Sequence, residues 1–351
     1  MRWPFMNTTR RNILSGSGVI ALGALAGCLG NDTEGDSIDD DGGEATDARS
    51  GYAAFFTLTD WTRNVTGDYM DIINPVPVGD IGHGWQPTAD LQTEMAVADV
   101  FVYLDSAEFR WAQDAVASFE SEGADVVTVD ALDGIDLLEF DDDDHDDDDH
   151  DDEEADGDDH DDEDDHDDHD HGEYDPHMWL DPVRAQTSVE TIADGLIEAD
   201  PEHADAYADN AEAYSAELQA LHDEFESTLT DRRNDVLVFA GHDSFQYLAT
   251  RYGFDVHSPQ GVSPQDEPST ADIIETIELV NDRGIDFVAY DYLEADTLAQ
   301  QIVAESNAQE IVAMSTAEGT TREWNDDSWG YIEQMREINL VALEAALDVQ
   351  S

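Results

Sequence analysis

Short runs of β-branched and aromatic residues alternate with stretches whose apolar positions recur every three to four residues. That alternation restricts the chain to an α/β fold with parallel sheets. In the first half the strand-like runs are Tyr52–Leu58, Asp71–Val78, Val100–Leu104 and Asp125–Val129. Pro75 and Pro77 suit the second of these to a sheet edge. Helices are predicted from about Thr88 and over Ala107–Ser121. In the second half, Val236–Ala240, Ile285–Tyr290 and Glu310–Met314 read as strands. Helices are predicted after His242, from a Ser269-x-x-Asp272 cap to Gly284, over Thr297–Glu305, and from Gly330 to Leu347. Between the halves, Asp181-Pro182 and Asp200-Pro201 are helix-start signals. Beyond the second, Ala204, Tyr207, Ala211, Tyr214, Leu218, Leu221 and Phe225 form one apolar stripe at helical spacing. The expected organisation is a lobe over 52–200, a long rigid connecting helix over 201–232, and a second lobe over 233–351.

Charge sets the second constraint. The 351 residues carry 87 acidic side chains against 13 basic ones, all arginine, for a formal charge of −74. Asp141 to His171 concentrates 23 acidic residues and six histidines: His145, His150, His160, His166, His169 and His171. Outside it, 64 acidic residues still face 13 arginines, a charge near −51. Nucleic acid is excluded as a partner, because phosphate neutralisation needs cations. A chain that repels itself this strongly needs screening, and ~1 M salt shortens the Debye length to about 3 Å. An extreme-halophile protein is expected, with carboxylates as its solvated surface. The window 141–171 cannot build a core and reads as a disordered insertion.

The lone cysteine, Cys28, excludes a disulfide framework. It closes Leu25-Ala26-Gly27-Cys28, downstream of Arg10-Arg11 and a short apolar run. Twin arginines before such a run look like a Tat export signal, and Leu-Ala-Gly-Cys resembles a lipobox. Residues 1–28 are therefore expected to be a lipoprotein signal with Cys28 lipidated, on the outer face of the cell membrane. Residues 29–51, rich in Asp, Gly, Glu and Ser, read as a flexible tether.

Six histidines lie outside the insertion. His203 and His222, on the predicted long helix, read as exposed surface, and His257 is undecided. His83, in Gly79-Asp-Ile-Gly-His-Gly-Trp-Gln-Pro87, and His242, in Phe239-Ala-Gly-His-Asp-Ser-Phe245, follow strands. Loops beyond the carboxyl ends of strands are where open α/β sheets bind ligands. His177 sits in Asp175-Pro-His-Met-Trp-Leu-Asp-Pro182, just before a helix. Neutral imidazole suits zinc. Spacing alone leaves a shared metal site and three unrelated loop histidines both open.

These three segments, in this order, resemble the ligand motifs of the substrate-binding lipoproteins of ABC importers for zinc and manganese. The Tyr207-x-x-Asn210-x-x-x-Tyr214 stretch is similar to that family's connecting helix. Met335–Leu347, with Asn339 inside it, is similar to the terminal helix. The resemblance implies two α/β lobes joined by one rigid helix, little hinge closure, and a metal in the cleft. His83 and His177 would come from the first lobe and His242 from the second. The family often supplies a fourth carboxylate late in the second lobe, and here Thr316 stands where an aspartate is expected. The fourth ligand is left open between Glu318, water and, more weakly, Asp291.

The function expected from the resemblance is capture of Zn²⁺ outside the membrane and its delivery to an ABC permease and ATPase, by a monomer that is not an enzyme. A histidine at position 242, where manganese members commonly carry glutamate, favours Zn²⁺ over Mn²⁺. A zinc hydrolase is the alternative, since three histidines with an open position also describe catalytic zinc. It lacks His-Glu-x-x-His and any clear general base. A metal-buffering surface lipoprotein is a third reading.

Overall fold

The computed structural model describes residues 49–139 and 174–350. The signal, Cys28, most of the tether and the six insertion histidines lie outside the described residues. Among the described residues no helix is long and apolar enough to cross a membrane.

The first sheet has four parallel strands in the order β2-β1-β3-β4. They are β1 (Ser50–Ala53), β2 (Asp71–Ile73), β3 (Val100–Tyr103) and β4 (Val127–Asp130). The helices of this half are α1 (Phe56–Thr66), α2 (Ala89–Met95) and α3 (Arg110–Glu122). As the prolines require, β2 is an edge strand and stops before Asn74-Pro75. Arg63 of α1 donates from Nε and Nη2 to its Ile72 carbonyl, at 2.9 and 2.6 Å.

The strand expected over Asp71–Val78 thus ends at Ile73, and both boundaries of β1 also differ from the sequence reading. β1 begins at Ser50, inside the expected tether. Arg49 anchors it, pairing with Asp99 at 2.8 Å and with buried Asp200 at 3.3 Å. Gly51 is required there, because a Cβ would lie 2.4 Å from Val100 of the neighbouring strand. The expected strand Tyr52–Leu58 ends early, and the chain turns into α1 at Phe56. Thr59 and Thr62 donate their hydroxyls back to the Phe55 and Leu58 carbonyls, one turn earlier. These side chains thereby settle into a helix despite their strand propensity.

Asp181 caps α4 (Pro182–Ala199), accepting from the Val183 N–H with Pro182 at the first helical position. After the turn Pro201–His203, α5 (Ala204–Leu229) buries its stripe of Tyr207, Ala211, Tyr214, Leu218, Leu221 and Phe225 against α4 and α1. His203 and His222 are partly buried rather than exposed. His203 pairs with Asp200 at 2.6 Å, and His222 lies 3.2 Å from the Tyr252 hydroxyl.

The second half holds the parallel pairs β5 (Val236–Val238) with β6 (Asp255–His257), and β7 (Phe287–Asp291) with β8 (Glu310–Met314). A Phe239–Ala289 bridge brings the two pairs together. His257 belongs to β6, with Nε2 2.8 Å from the Thr276 hydroxyl. The helices are α6 (Gln246–Tyr252), α7 (Thr270–Arg283), α8 (Thr297–Glu305), α9 (Arg322–Asp326), α10 (Tyr331–Gln334) and α11 (Val341–Ala346). Ser269 and Asp272 form the expected capping box, and Gly284 closes α7 in the left-handed conformation. A π-helical segment, Met335–Leu340, joins α10 to α11 where one regular helix is expected from sequence. One apolar core runs from the first sheet through α1, α4 and α5 to Phe239, Tyr331 and Leu343, beside a smaller cluster around Val238, Val280 and Val288.

Gly195, inside α4, tests how tightly that core is packed. An added Cβ would lie 2.2 Å from Val129 of β4, a β-branched side chain with little freedom to move. Helix propensity favours alanine by about 1 kcal/mol. Overpacking costs about 1–3 kcal/mol. Gly195→Ala is therefore expected to be neutral to destabilising by up to ~2 kcal/mol, as the difference of those two terms. A denaturant titration showing a gain in stability would contradict the packing described here.

Candidate metal centre

Four buried polar side chains meet beyond the carboxyl ends of the strands. His83 lies on the loop after β2, His177 just before the turn Met178–Leu180 that leads into α4, His242 after β5, and Glu318 after β8. None is more than 4% exposed. The imidazole centroids are 5.3 Å apart for His83 and His177, 5.2 Å for His177 and His242, and 5.7 Å for His83 and His242. Glu318 Oε2 contacts His83 Nδ1. Its Oε1 lies 3.4 Å from His242 Nε2 and 3.9 Å from His177 Nε2. His83, His177 and Glu318 each offer one ligand atom within 4.8 Å of the others.

Several of these atoms lack a hydrogen-bond partner among the described residues. They are His83 Nε2, His177 Nε2, both ring nitrogens of His242 and Glu318 Oε1. Leaving a buried polar atom unpaired costs about 1–3 kcal/mol. A concentration of such atoms in one place is what a coordination site looks like before its ion is considered.

Each group is held in place from outside. Asp175 Oδ1 accepts from the His177 backbone N–H at 2.9 Å and from Nδ1 at 2.7 Å. That puts the ring proton on Nδ1 and leaves the Nε2 lone pair facing Glu318. Trp179 donates from Nε1 to the Thr316 carbonyl at 2.8 Å. The loop carrying Glu318 turns at Ala317, whose φ of 56° is strained for a residue with a Cβ. Thr57 donates to the Ala317 carbonyl, and the Phe56 N–H donates to the Glu318 carbonyl at 3.3 Å. Asn339, in the π-helical segment, accepts from the Ser315 N–H at 2.7 Å and donates to its carbonyl at 2.8 Å.

Electrostatics follow from burial and from the shared carboxylate. Burial pushes the Glu318 carboxyl up. The charge of His83, its hydrogen bond to the carboxylate and the nearby charge of His242 outweigh it and hold the group well below the usual carboxylate range. Burial lowers His242, but the close approach and charge of Glu318 lift it above the usual imidazole value. At His177 burial wins over the opposing pull of Asp175, and the imidazole sits below its usual value.

Of the fourth positions left open by the sequence, Glu318 is the one placed against the imidazoles. Asp291, at the end of β7, is buried, with Oδ1 accepting from the Leu293 N–H at 2.7 Å. Burial pushes its carboxyl up to about 6. The supporting residues Asp175, Thr57 and Ala317 were not legible as such. Only Asp175 carried a signal, two residues before a histidine in a motif already singled out.

Parallel sheets in both halves and a buried imidazole–carboxylate cluster beyond their strand ends define an α/β substrate-binding protein with a candidate metal centre. The family described as zinc-uptake complex component A, periplasmic (ZnuA), matches residues 52–346, and the chain belongs to it. The chain is 30% identical to the high-affinity zinc uptake system protein ZnuA of Bacillus subtilis, over 95% of this chain and 98% of that one. It is 29% identical to the zinc-binding lipoprotein AdcA of Streptococcus pneumoniae, over 84% of this chain, and spans 55% of AdcA's length. Its fold is similar to that of the Zn(II)-bound ZnuA-like domain of AdcA, with a TM-score of 0.68 at 26% identity, covering 86% of this chain and 99% of that one. Members of the family are substrate-binding components of zinc-uptake ABC transporters.

The orientation of His177 is directly measurable. Nitrogen-15 shifts of the metal-free protein are expected to show its Nδ1–H tautomer, and Asp175→Ala is expected to release it into a tautomer mixture. An unchanged His177 signal in that variant would refute the orienting role of Asp175.

Proposed function

We propose that the chain captures Zn²⁺ outside the membrane and hands it to the permease of an ABC importer, with His83, His177, His242 and Glu318 as the ligands. The observation that carries this is the convergence of three imidazoles and one carboxylate, all buried, with their facing atoms unpartnered among the described residues. Three nitrogens and one oxygen suit the tetrahedral preference of Zn²⁺. Glu318 fills the position that a catalytic zinc keeps open for water, which weighs against the hydrolase reading. ZnuA and AdcA, the relatives described above, are named for zinc uptake and zinc binding, and this supports the same cargo here.

The rest of the reading goes with that role. Cys28 would carry a lipid after Tat export, residues up to about 48 would tether the body to the outer face, and the protein would work as a monomer with its permease and ATPase. The acidic composition supports an extreme-halophile protein working in surroundings of molar salt. The insertion histidines would gather Zn²⁺ weakly near the membrane, because imidazoles spaced among carboxylates offer many loose sites rather than one fixed geometry.

Alanine at His83, His177, His242 or Glu318 is expected to abolish tight Zn²⁺ binding while circular dichroism stays that of the parent. Unchanged affinity in all four would overturn the assignment.

Metal choice is read best without the insertion. Deleting Asp141–Asp170 is expected to remove the weak sites and leave one tight site. In competition titrations in molar salt that site is expected to prefer Zn²⁺ over Mn²⁺ by orders of magnitude, each tenfold step being ~1.4 kcal/mol. Equal or tighter Mn²⁺ binding would remove the zinc assignment, and an unchanged stoichiometry would remove the gathering role of the insertion.

A further inference from the structure

The strap from Asp175 to Asp181 carries His177 and belongs to the first half of the chain, where the Asp175 N–H donates to the Leu138 carbonyl and Arg184 pairs with Asp181 at 2.6 Å, yet both its ends are also held from the second half. α6 starts four residues after His242. Two of its side chains, Tyr247 and Arg251, are one helical turn apart and so share a face. The Tyr247 hydroxyl donates to the Asp175 carbonyl at 2.6 Å and accepts from the Leu138 N–H at 2.8 Å. Its ring is fully buried and lies under the Arg184 guanidinium, 4.8 Å from its centroid. Arg251 donates from Nε to both oxygens of Asp181 at 2.9 Å, and from Nη2 to Oδ2 at 2.7 Å. Asp181 is itself fully buried and caps α4.

Both ends of the strap are thus fastened to one face of one short helix. The Asp175 peptide that Tyr247 holds belongs to the residue whose carboxylate fixes the His177 ring. The same helix is continuous in sequence with His242, the ligand proposed from the other half. The spacing between these two imidazoles, 5.2 Å between centroids, is therefore set through α6 as well as through the loops themselves.

We infer that Tyr247 and Arg251 are positioning residues for the metal centre: α6 clasps the Asp175–Asp181 strap and fixes His177 relative to His242. The inference rests on the proposed ligand set. Neither side chain touches the ion. Each acts through Asp175 or Asp181, so losing it leaves all four ligands in the chain but lets the His177 imidazole wander from the geometry the other three require.

The test uses the full chain with Co²⁺ as a spectroscopic probe and Zn²⁺ in competition with a chelator, so that only the tight site is read. Tyr247→Phe keeps the buried ring and removes the hydroxyl's bond to the Asp175 carbonyl, together with the one it accepts from the Leu138 N–H. Arg251→Lys keeps the charge and removes the two-point grip on Asp181. Each is expected to weaken Zn²⁺ about ten- to a hundredfold, the usual effect of losing a group that orients a ligand. Each should also change the position or intensity of the Co²⁺ visible bands. Tyr252→Phe, on the same helix but pointing at His222, also loses a hydroxyl and is expected to leave affinity and spectrum as in the parent. Parent-like affinity and bands in both Tyr247→Phe and Arg251→Lys would overturn the clasp, as would equal losses in Tyr252→Phe. His177→Ala separates the two levels. If it binds Zn²⁺ as the parent does, the ligand set and the clasp fail together. If it does not bind while Tyr247→Phe and Arg251→Lys both bind as the parent does, only the clasp fails.

Discussion

A carboxylate sealed from water against three imidazoles is expensive to assemble, and much of the molecule is arranged around it. Ionised Glu318 would be driven out of a low-dielectric cleft if its partners were not already in place. The histidines supply those partners, and the backbone supplies their positions. Contacts cross between the halves in both directions. The start of α1 holds the Glu318 loop through Phe56 and Thr57, and Trp179 holds it at Thr316. α6 holds the strap of His177. One apolar core beneath these contacts runs through both halves.

This arrangement explains why some of the site could be read from the sequence and some could not. His83, His177 and His242 stand in motifs with local signals: a histidine after a strand, or a histidine before an Asp-Pro helix start. The strands β7 and β8 and the helix α8 followed from apolar runs bounded by turn residues, and the Ser269–Asp272 box announced α7. Glu318 was left among alternatives for a physical reason. What turns it inward is the conformation of Ala317, at a φ that alanine seldom adopts and that depends on hydrogen bonds from distant residues, Thr57 to the Ala317 carbonyl, Trp179 to Thr316 and Asn339 to Ser315. No local pattern encodes such a residue. The early turn into α1 was hidden in the same way, because Phe55, Thr57 and Thr59 have strand propensities that tertiary packing overrides.

The acidic surface and the acidic site answer to different rules. Exposed carboxylates interact through water and ions, and their mutual repulsion weakens as salt is added. The Glu318 cluster is hardly screened at all, since mobile ions do not reach it. Conditions that relieve the surface therefore leave the chemistry of the cleft nearly as it was.

Screening has another consequence at the edge of the first sheet. Where molar salt shortens the range of repulsion to about 3 Å, like charge no longer keeps two copies of this chain apart. An open strand edge then becomes adhesive, because an unpaired backbone carbonyl can accept a strand from a neighbour. On β2 the guanidinium of Arg63 already occupies the Ile72 carbonyl with two donors. In a chain with so few cations, one sits on this edge and acts by occupying the acceptor rather than by long-range repulsion, so its effect persists at salt concentrations that screen the other charges.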